Sequence, residues 1–285
     1  MVFGGKLFAL GKKSGGVRPI AVGYTWRRLA AKCANSYALS LLRPYLSPRQ
    51  LGAGIPGGCE AAVHATRRFV ESMPADHLVA KLDFSNAFNC LCRSRMLGEV
   101  SKRIPELYKF CHLSYSSPSK LKFGEWCIES NVGVQQGDPL GPMLFCLAIH
   151  PLLCSLSSTL TVGFLDDITL GGSVAMVSSD VRSIVDGGQA LGLHLNFSKC
   201  ELISSGGSPL DDAVLSSFQR LSVCQSSLLG APLTTGGAMD NALSSRLADL
   251  RRAASRLKLL ASHDALTILR YSLSAPRLMH ILRAS

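Results

Sequence analysis

Acidic side chains are absent from the first fifty residues of this chain. Nine Lys or Arg residues in that stretch (Lys6, Lys12, Lys13, Arg18, Arg27, Arg28, Lys32, Arg43 and Arg49) have no local counter-charge, which argues against a cationic partner and for a polyanionic one. CxxC pairs are lacking too. The ten cysteines (33, 59, 90, 92, 111, 127, 146, 154, 200 and 224) have no His at a spacing that would complete a zinc site, and they form no disulfide framework. Most are expected to be buried thiols. The start MVFGGKLFALGKK has too short an apolar run for a signal peptide. With no disulfide framework either, the expected compartment is intracellular and reducing, nucleus and cytoplasm alike. The stretch most like a membrane span, Pro139 to Leu156, is interrupted by Pro139, Pro142 and Pro151, so it predicts a buried core helix and no membrane partner. No internal repeat is visible, and the Gly/Ser stretches are too short for a domain linker. One interwoven unit is expected.

What is present is enough to bury one large core or two modest ones. The 285 residues are 47% hydrophobic and carry a formal net charge of +11. A second basic segment, from Arg246 onward (Arg246, Arg251, Arg252, Arg256, Lys258, Arg270, Arg277, Arg283), is set against only Asp249 and Asp264. GKKSGGVRPIAV, within residues 4–24, predicts a hairpin with a Lys-rich turn. Leu29, Cys33, Tyr37 and Leu41 recur at helical spacing and predict a helix over Thr25 to Leu46, closed by Pro44 and Pro48. A second helix is predicted over Glu60 to Glu71, after the Gly-rich loop at Gly52 to Gly58. SSGGSP (Ser204 to Pro209) is expected to be a loop. A further helix is expected from about Asp240 to Leu260, with Leu243, Leu247, Leu250, Ala254 and Leu257 in a stripe and its basic residues off it.

Three acids stand out because of where the pattern puts them. His77 to Asp83 alternates as a strand, which leaves Asp83 at its end. The apolar runs TVGFL and ITL flank Asp166 and Asp167, which predicts a tight hairpin with the two carboxylates at its bend. Nucleotidyl transfer needs two divalent ions about 3.5–4 Å apart, and hard cations need carboxylates, so acids on two neighbouring strands of one sheet could supply the clamp.

The segments around these acids carry a specific resemblance. GKKSGGVRPIAVGYTWRRLAAK, IPGGCEAAVHATRRFVE, KLDFSNAFNCL, GVQQGDPLGPMLFCLAIHPLL, FLDDITL, LGLHLNFSKCEL and SSLLGAPL stand in the order of the fingers motif, the following helix and loop, motifs A, B, C and D, and the primer grip. The chain resembles the reverse transcriptase (RNA-directed DNA polymerase) of non-LTR retrotransposons over about residues 10–235. The resemblance implies an α+β fold, a right-handed polymerase palm of antiparallel sheet packed on helices. Residues 1–75 would form partial fingers, 76–235 the palm and 236–285 the start of a thumb.

The resemblance also implies roles. Asp83, Asp166 and Asp167 match the metal-binding acids, with the Phe84 carbonyl as a further donor, for two Mg2+ ions or Mn2+ in their place. Phe88 matches the aromatic gate against a 2'-hydroxyl. Gln136 and Gly137 match the Gln-Gly of motif B, and Lys199 the motif D lysine that protonates departing pyrophosphate. Arg18, with Lys12 or Lys13, matches the grip on the triphosphate, and Leu229 and Gly230 lie in the primer grip. RNA template, DNA primer and deoxynucleotides are the implied partners. FLDD replaces the usual Tyr-Ala-Asp-Asp, and Gly141 stands where a Ser usually precedes the Pro. Phe88 and Gln136-Gly137 argue against an RNA-dependent RNA polymerase. The lack of a recognisable endonuclease or RNase H region and of a full thumb suggests a fragment of a retroelement polyprotein. An inactive nucleic-acid-binding remnant is the alternative.

Overall fold

The structure, a computed structural model, describes residues 3–12, 15–204, 212–273 and 276–284. Lys13 and all but the first residue of the SSGGSP loop lie outside them. The chain opens with strands β1 (Gly5–Gly11) and β2 (Val17–Gly23), paired antiparallel from Gly5↔Gly23 to Gly11↔Val17, as the Gly- and Lys-rich turn predicts. Helices α1 (Thr25–Leu46) and α2 (Gly58–Glu71) follow, then strand β3 (His77–Leu82) and the single turn α3 (Ala87–Cys90). Next come α4 (Arg93–Arg103), α5 (Pro105–Tyr115), β4 (Ser119–Phe123), β5 (Trp126–Ser130) and α6 (Gly141–Cys154). The hairpin β6 (Leu160–Phe164) and β7 (Asp167–Ser173) leads into α7 (Val174–Ala190) and β8 (Glu201–Ser204). The chain closes with β9 (Gln219–Leu221), β10 (Ser227–Leu228), β11 (Ala231–Pro232), α8 (Gly237–Leu257), α9 (Ser262–Ile268) and α10 (Pro276–Arg283).

Five strands form the central sheet in the order β6-β7-β3-β8-β9, antiparallel except for β8 with β9. A second sheet, β2-β1-β4-β5, joins the first hairpin to residues more than a hundred positions later through the parallel pair β1 and β4. The architecture is therefore mixed α+β, with sheets packed on helices. Helix α6 is the core of the packing. Met143 through Ile149 are wholly or almost wholly buried, so the apolar stretch predicted to be a core helix is one. It touches α1, α4, α7 and β6, and a helix apolar all round is stable in water only when enclosed in this way. Among the described residues no helix is long and apolar enough to cross a membrane.

The structure shows which side of the predicted helix α1 is covered, and it departs from expectation in the cysteines. On α1 the buried side is Arg27, Ala31, Ala38, Leu42 and Leu46, whereas Leu29, Cys33, Tyr37 and Leu41 face solvent. Small Ala31 and Ala38 face the core where α1 meets α6, and the bulkier stripe lies outside. The cysteines are mostly not core thiols: Cys111, Cys146 and Cys200 are buried, while Cys33, Cys127, Cys154 and Cys224 are exposed. Cys33 lies on the uncovered side of α1 and Cys127 on the edge strand β5, where nothing packs over them. In α8, Leu243, Leu250 and Leu257 of the expected stripe are half-buried, and Leu247 and Ala254 are exposed. Arg246, Arg251, Arg252 and Arg256 stay exposed.

The link from α6 to β6 is pinned by Asp180 on α7. Its carboxylate accepts from the backbone N–H of Ser157 (3.0 Å) and Ser158 (2.6 Å) and from both serine hydroxyls. Burial alone would raise this carboxyl, but those hydrogen bonds outweigh it and hold it below the usual carboxylate range. A lowered native pKa means stability that is fully present above the ordinary carboxylate range and lost as pH falls through the native value. Asp180→Asn is expected to cost about 2 kcal/mol at neutral pH. Urea titrations should show that deficit shrinking as pH falls below the ordinary carboxylate range and through the lowered native value.

Candidate active site

The acids gather where three strands meet. Strand β3 is paired on both sides, by β7 and β8, so the residue leaving its end is held by the middle of the sheet. Leu82 pairs with Ile168, and one step further in the same register Asp83 comes opposite Asp167. Phe164 pairs with Asp167, which leaves Leu165 and Asp166 as the two residues of the bend. Leu165 there has φ +58°, the left-handed region that two-residue hairpin turns require and that side chains other than Gly, Asn and Asp rarely enter. The backbone around Asp83 is fixed from a third side. The N–H of Asn196 donates to the Asp83 carbonyl (2.8 Å) and that of Ser85 to the His194 carbonyl (2.9 Å), which holds the turn bearing Lys199 against β3.

These carboxyls repel each other. Burial first, then the neighbouring Asp83 charge, raises Asp166, with Arg18 opposing. Asp167 is pushed up to about 6 by limited hydration and by the charges of Asp166 and Asp83, with Lys81 opposing. Among the described residues no ion pair neutralises Asp83, Asp166 or Asp167, and no group of three or more His, Cys, Asp or Glu forms a ready-made metal cage.

Two clefts open on either side of Asp83. The larger, about 370 Å³, is lined by Lys12, Arg18, Asp83, Phe84, Phe88, Gln136, Asp166 and Lys199. It also contains Ser85, Asn86 and Asn196, polar residues the sequence reading did not single out. Phe88 stacks on Phe145 of α6, with ring centroids 4.6 Å apart and planes 17° from parallel, so its ring is braced from behind. The smaller cleft, about 240 Å³, is lined by Asp83, Asp167, Lys199, Leu229 and Gly230, together with the ion pair of Lys81 with Glu201. Leu229 and Gly230 form the bend between β10 and β11, both with positive φ. Gly137 lines neither cleft. It has φ +113°, and a Cβ there would sit 2.5 Å from the Ala21 carbonyl oxygen. The Ala21 N–H donates to the Gln136 carbonyl at 2.7 Å, so Gly137 permits the contact that sets Gln136 against β2, the strand carrying Arg18.

Behind this loop lies a buried polar network. Arg27 pairs with Asp138 (2.8 Å), which also accepts from the Tyr115 hydroxyl (2.6 Å) and caps the backbone N–H of Leu140 (3.0 Å). Arg27 therefore does not belong to the surface charge of the basic end; it is 6% exposed and committed to the loop. Arg67 and Arg93 are likewise buried, Arg93 donating to the Gly133 carbonyl at 2.8 Å. Sequence charge alone does not distinguish these from solvated arginines. The Asp138 that follows Gln136-Gly137 was the available signal.

The family model for reverse transcriptase (RNA-dependent DNA polymerase) matches residues 10–233. The chain belongs to the reverse transcriptase family. A retrotransposable element SLACS 132 kDa protein of Trypanosoma brucei gambiense is 28% identical over 212 residues, which are 70% of this chain and 18% of that protein. This chain thus spans about a fifth of that relative's length. Among solved structures, apo telomerase from Candida tropicalis truncated from its C-terminal domain is similar over 73% of this chain and 51% of its own, at 14% identity and TM-score 0.56. Telomerase from Candida albicans in complex with a fragment of telomeric RNA is similar over 73% and 43%, at 12% identity and TM-score 0.56. At these identities the structures establish the shared reverse transcriptase fold.

Removing Asp138 while Arg27 stays buried leaves an uncompensated charge. Asp138→Ala is expected to cost about 3–5 kcal/mol in chemical denaturation, and Asp138→Ala with Arg27→Met distinctly less than the sum of the single changes.

Proposed function

We propose that this chain extends a primer with deoxynucleotides on an RNA template by two-metal nucleotidyl transfer, within a larger retroelement protein. The observation that carries this reading is the 370 Å³ cleft, in which three basic residues (Lys12, Arg18 and Lys199), two acids (Asp83 and Asp166), the braced Phe88 ring and the Gln136 amide converge. The crowded acids fit divalent cations. Burial and mutual repulsion raise Asp166 and Asp167, neither of which has an ion-pair partner among the described residues, so a divalent cation would relieve both; Mg2+ is commonly held by one or two carboxylates plus substrate phosphates rather than by a complete protein cage. Asp83, Asp166 and Asp167, with the Phe84 carbonyl, would hold the ions. When bound, the ions lower the pKa of the primer hydroxyl and offset charge on the leaving pyrophosphate.

The chain's own groups do the rest. Arg18 and Lys12 bind the triphosphate, the planar guanidinium suiting phosphate oxygens. Gln136 orients the sugar over Phe88, whose ring blocks a 2'-hydroxyl because Phe145 keeps it from yielding. Lys199, at the junction of the two clefts, donates a proton toward the departing anion. Leu229 and Gly230 support the primer end beside Asp167. Residues 1–75 serve as fingers, extended by β4 and β5 in the same sheet, 76–235 as palm and 236–285 as the beginning of a thumb, where the exposed arginines of α8 track duplex phosphates.

The test is primer extension by the purified chain on RNA with magnesium. Deoxynucleotide incorporation is expected, falling by about three orders of magnitude or more in Asp83→Asn and Asp166→Asn. Phe88→Val is expected to admit ribonucleotides. Salt-sensitive primer-template binding without extension would mark an inactive remnant, and preference for ribonucleotides in the unsubstituted chain would sink the role given to Phe88.

A further inference from the structure

The bend that carries Asp166 begins with a leucine in a left-handed conformation, and something must hold it there. The described residues contain that device, on a different part of the chain. Gln50 lies just beyond α1 and is fully buried. Its Oε1 accepts from the backbone N–H of Leu165 at 3.0 Å, and its Nε2 donates to the Leu165 carbonyl at 3.1 Å. Oε1 also accepts from the Gly52 N–H at 3.0 Å, so the amide is itself oriented and cannot turn over without losing all three bonds.

The socket is built around this contact. The segment holding Gln50 pairs with β6: the Leu51 N–H donates to the Gly163 carbonyl and the Gly163 N–H to the Arg49 carbonyl, both at 2.7 Å. Any side chain on Gly163 would strike the Gln50 amide nitrogen (2.9 Å) and Leu153 (2.7 Å), and one on Gly52 would come within 2.2 Å of the Leu165 nitrogen. Two glycines thus clear the space in which one side-chain amide grips both polar groups of one strained residue. In the sequence Gly52 is part of a Gly-rich loop, and no motif marks Gln50.

We propose that Gln50 is a positioning residue: by clamping Leu165 it fixes where the paired carboxylates of the bend stand relative to Asp83. The inference deepens the polymerase reading and rests on it for its kinetic consequence. A glutamine is required because it alone among side chains of this length both donates and accepts. Glutamate lacks the donor when ionised, and methionine keeps the volume but offers neither.

The experiment compares the unsubstituted chain with Gln50→Met, alone and combined with Leu165→Gly, which can adopt the left-handed bend unaided. Two readouts are taken: primer-extension kinetics and hydrogen exchange of the Leu165 amide. Gln50→Met is expected to lower kcat about 100-fold with KM for the deoxynucleotide within about threefold, as for a displaced catalytic group. Leu165→Gly in that background is expected to recover about a tenth or more of the lost rate, an effect that mere loss of folding stability does not produce. The Leu165 amide is expected to lose protection in Gln50→Met. A folded Gln50→Met with kcat within about twofold of the parent overturns the proposal, as does a loss that Leu165→Gly leaves untouched. Should the unsubstituted chain fail to extend primers, the polymerase reading falls. The exchange measurement still decides the clamp, and unchanged protection at Leu165 refutes it. Gln50→Glu at neutral pH provides a second folded variant, expected to lose the same protection.

Discussion

Like charges crowded at one end of a sheet push one another apart, and much of this molecule is arranged to resist that push. Asp83 follows β3, which is paired on both sides, while Asp167 begins the neighbouring strand β7 and Asp166 stands in the bend just before it. Burial first, and neighbouring charge after it, raises the proton affinities of Asp166 and Asp167. Such a cluster needs a rigid support to keep it together. The enclosed helix α6 provides it from below, the Asn196 contact from one side and Gln50 from the other.

The remaining parts of the site are held by the same logic at one remove. The loop that presents Gln136 is held by a buried polar network. Asp138 collects Arg27 from α1, Tyr115 from α5 and the Leu140 amide that begins α6, so one carboxylate ties three helices to the turn that presents Gln136. The cleft is therefore an interface between the β2 side of the molecule and the central sheet, registered by the Ala21–Gln136 hydrogen bond and by the near contact that only Gly137 allows.

The elements that build this site were legible in the sequence where local pattern dictates local structure. The hairpin of β1 and β2, the two following helices, the strand ending at Asp83, the bend of β6 and β7 and the core helix α6 all follow from turn residues and periodicity. What stayed hidden depends on which elements meet. Arg27 and Lys32 look alike in a charge count, but only the first turns toward Asp138. The spacing of Leu29 and Tyr37 gave the helix, but periodicity does not say which side is covered, and both face solvent. Cys33 and Cys127 followed the average habit of their type, and their own surfaces decided otherwise. Gln50 had no motif to announce it, since its significance arises from a partner 115 residues away.

The parallel pairing of β1 with β4 has a consequence for how the chain comes into being. Gly5 and Lys6 wait for Leu121 and Lys122 before that edge of the first hairpin is closed. During synthesis the hairpin must therefore emerge with an open strand edge while some hundred further residues are added, a long-range closure that is slow and exposes the nascent chain to mispairing. Charged edges discourage such association. The absence of acidic side chains from the first fifty residues gives unfinished copies a like charge, which discourages their pairing.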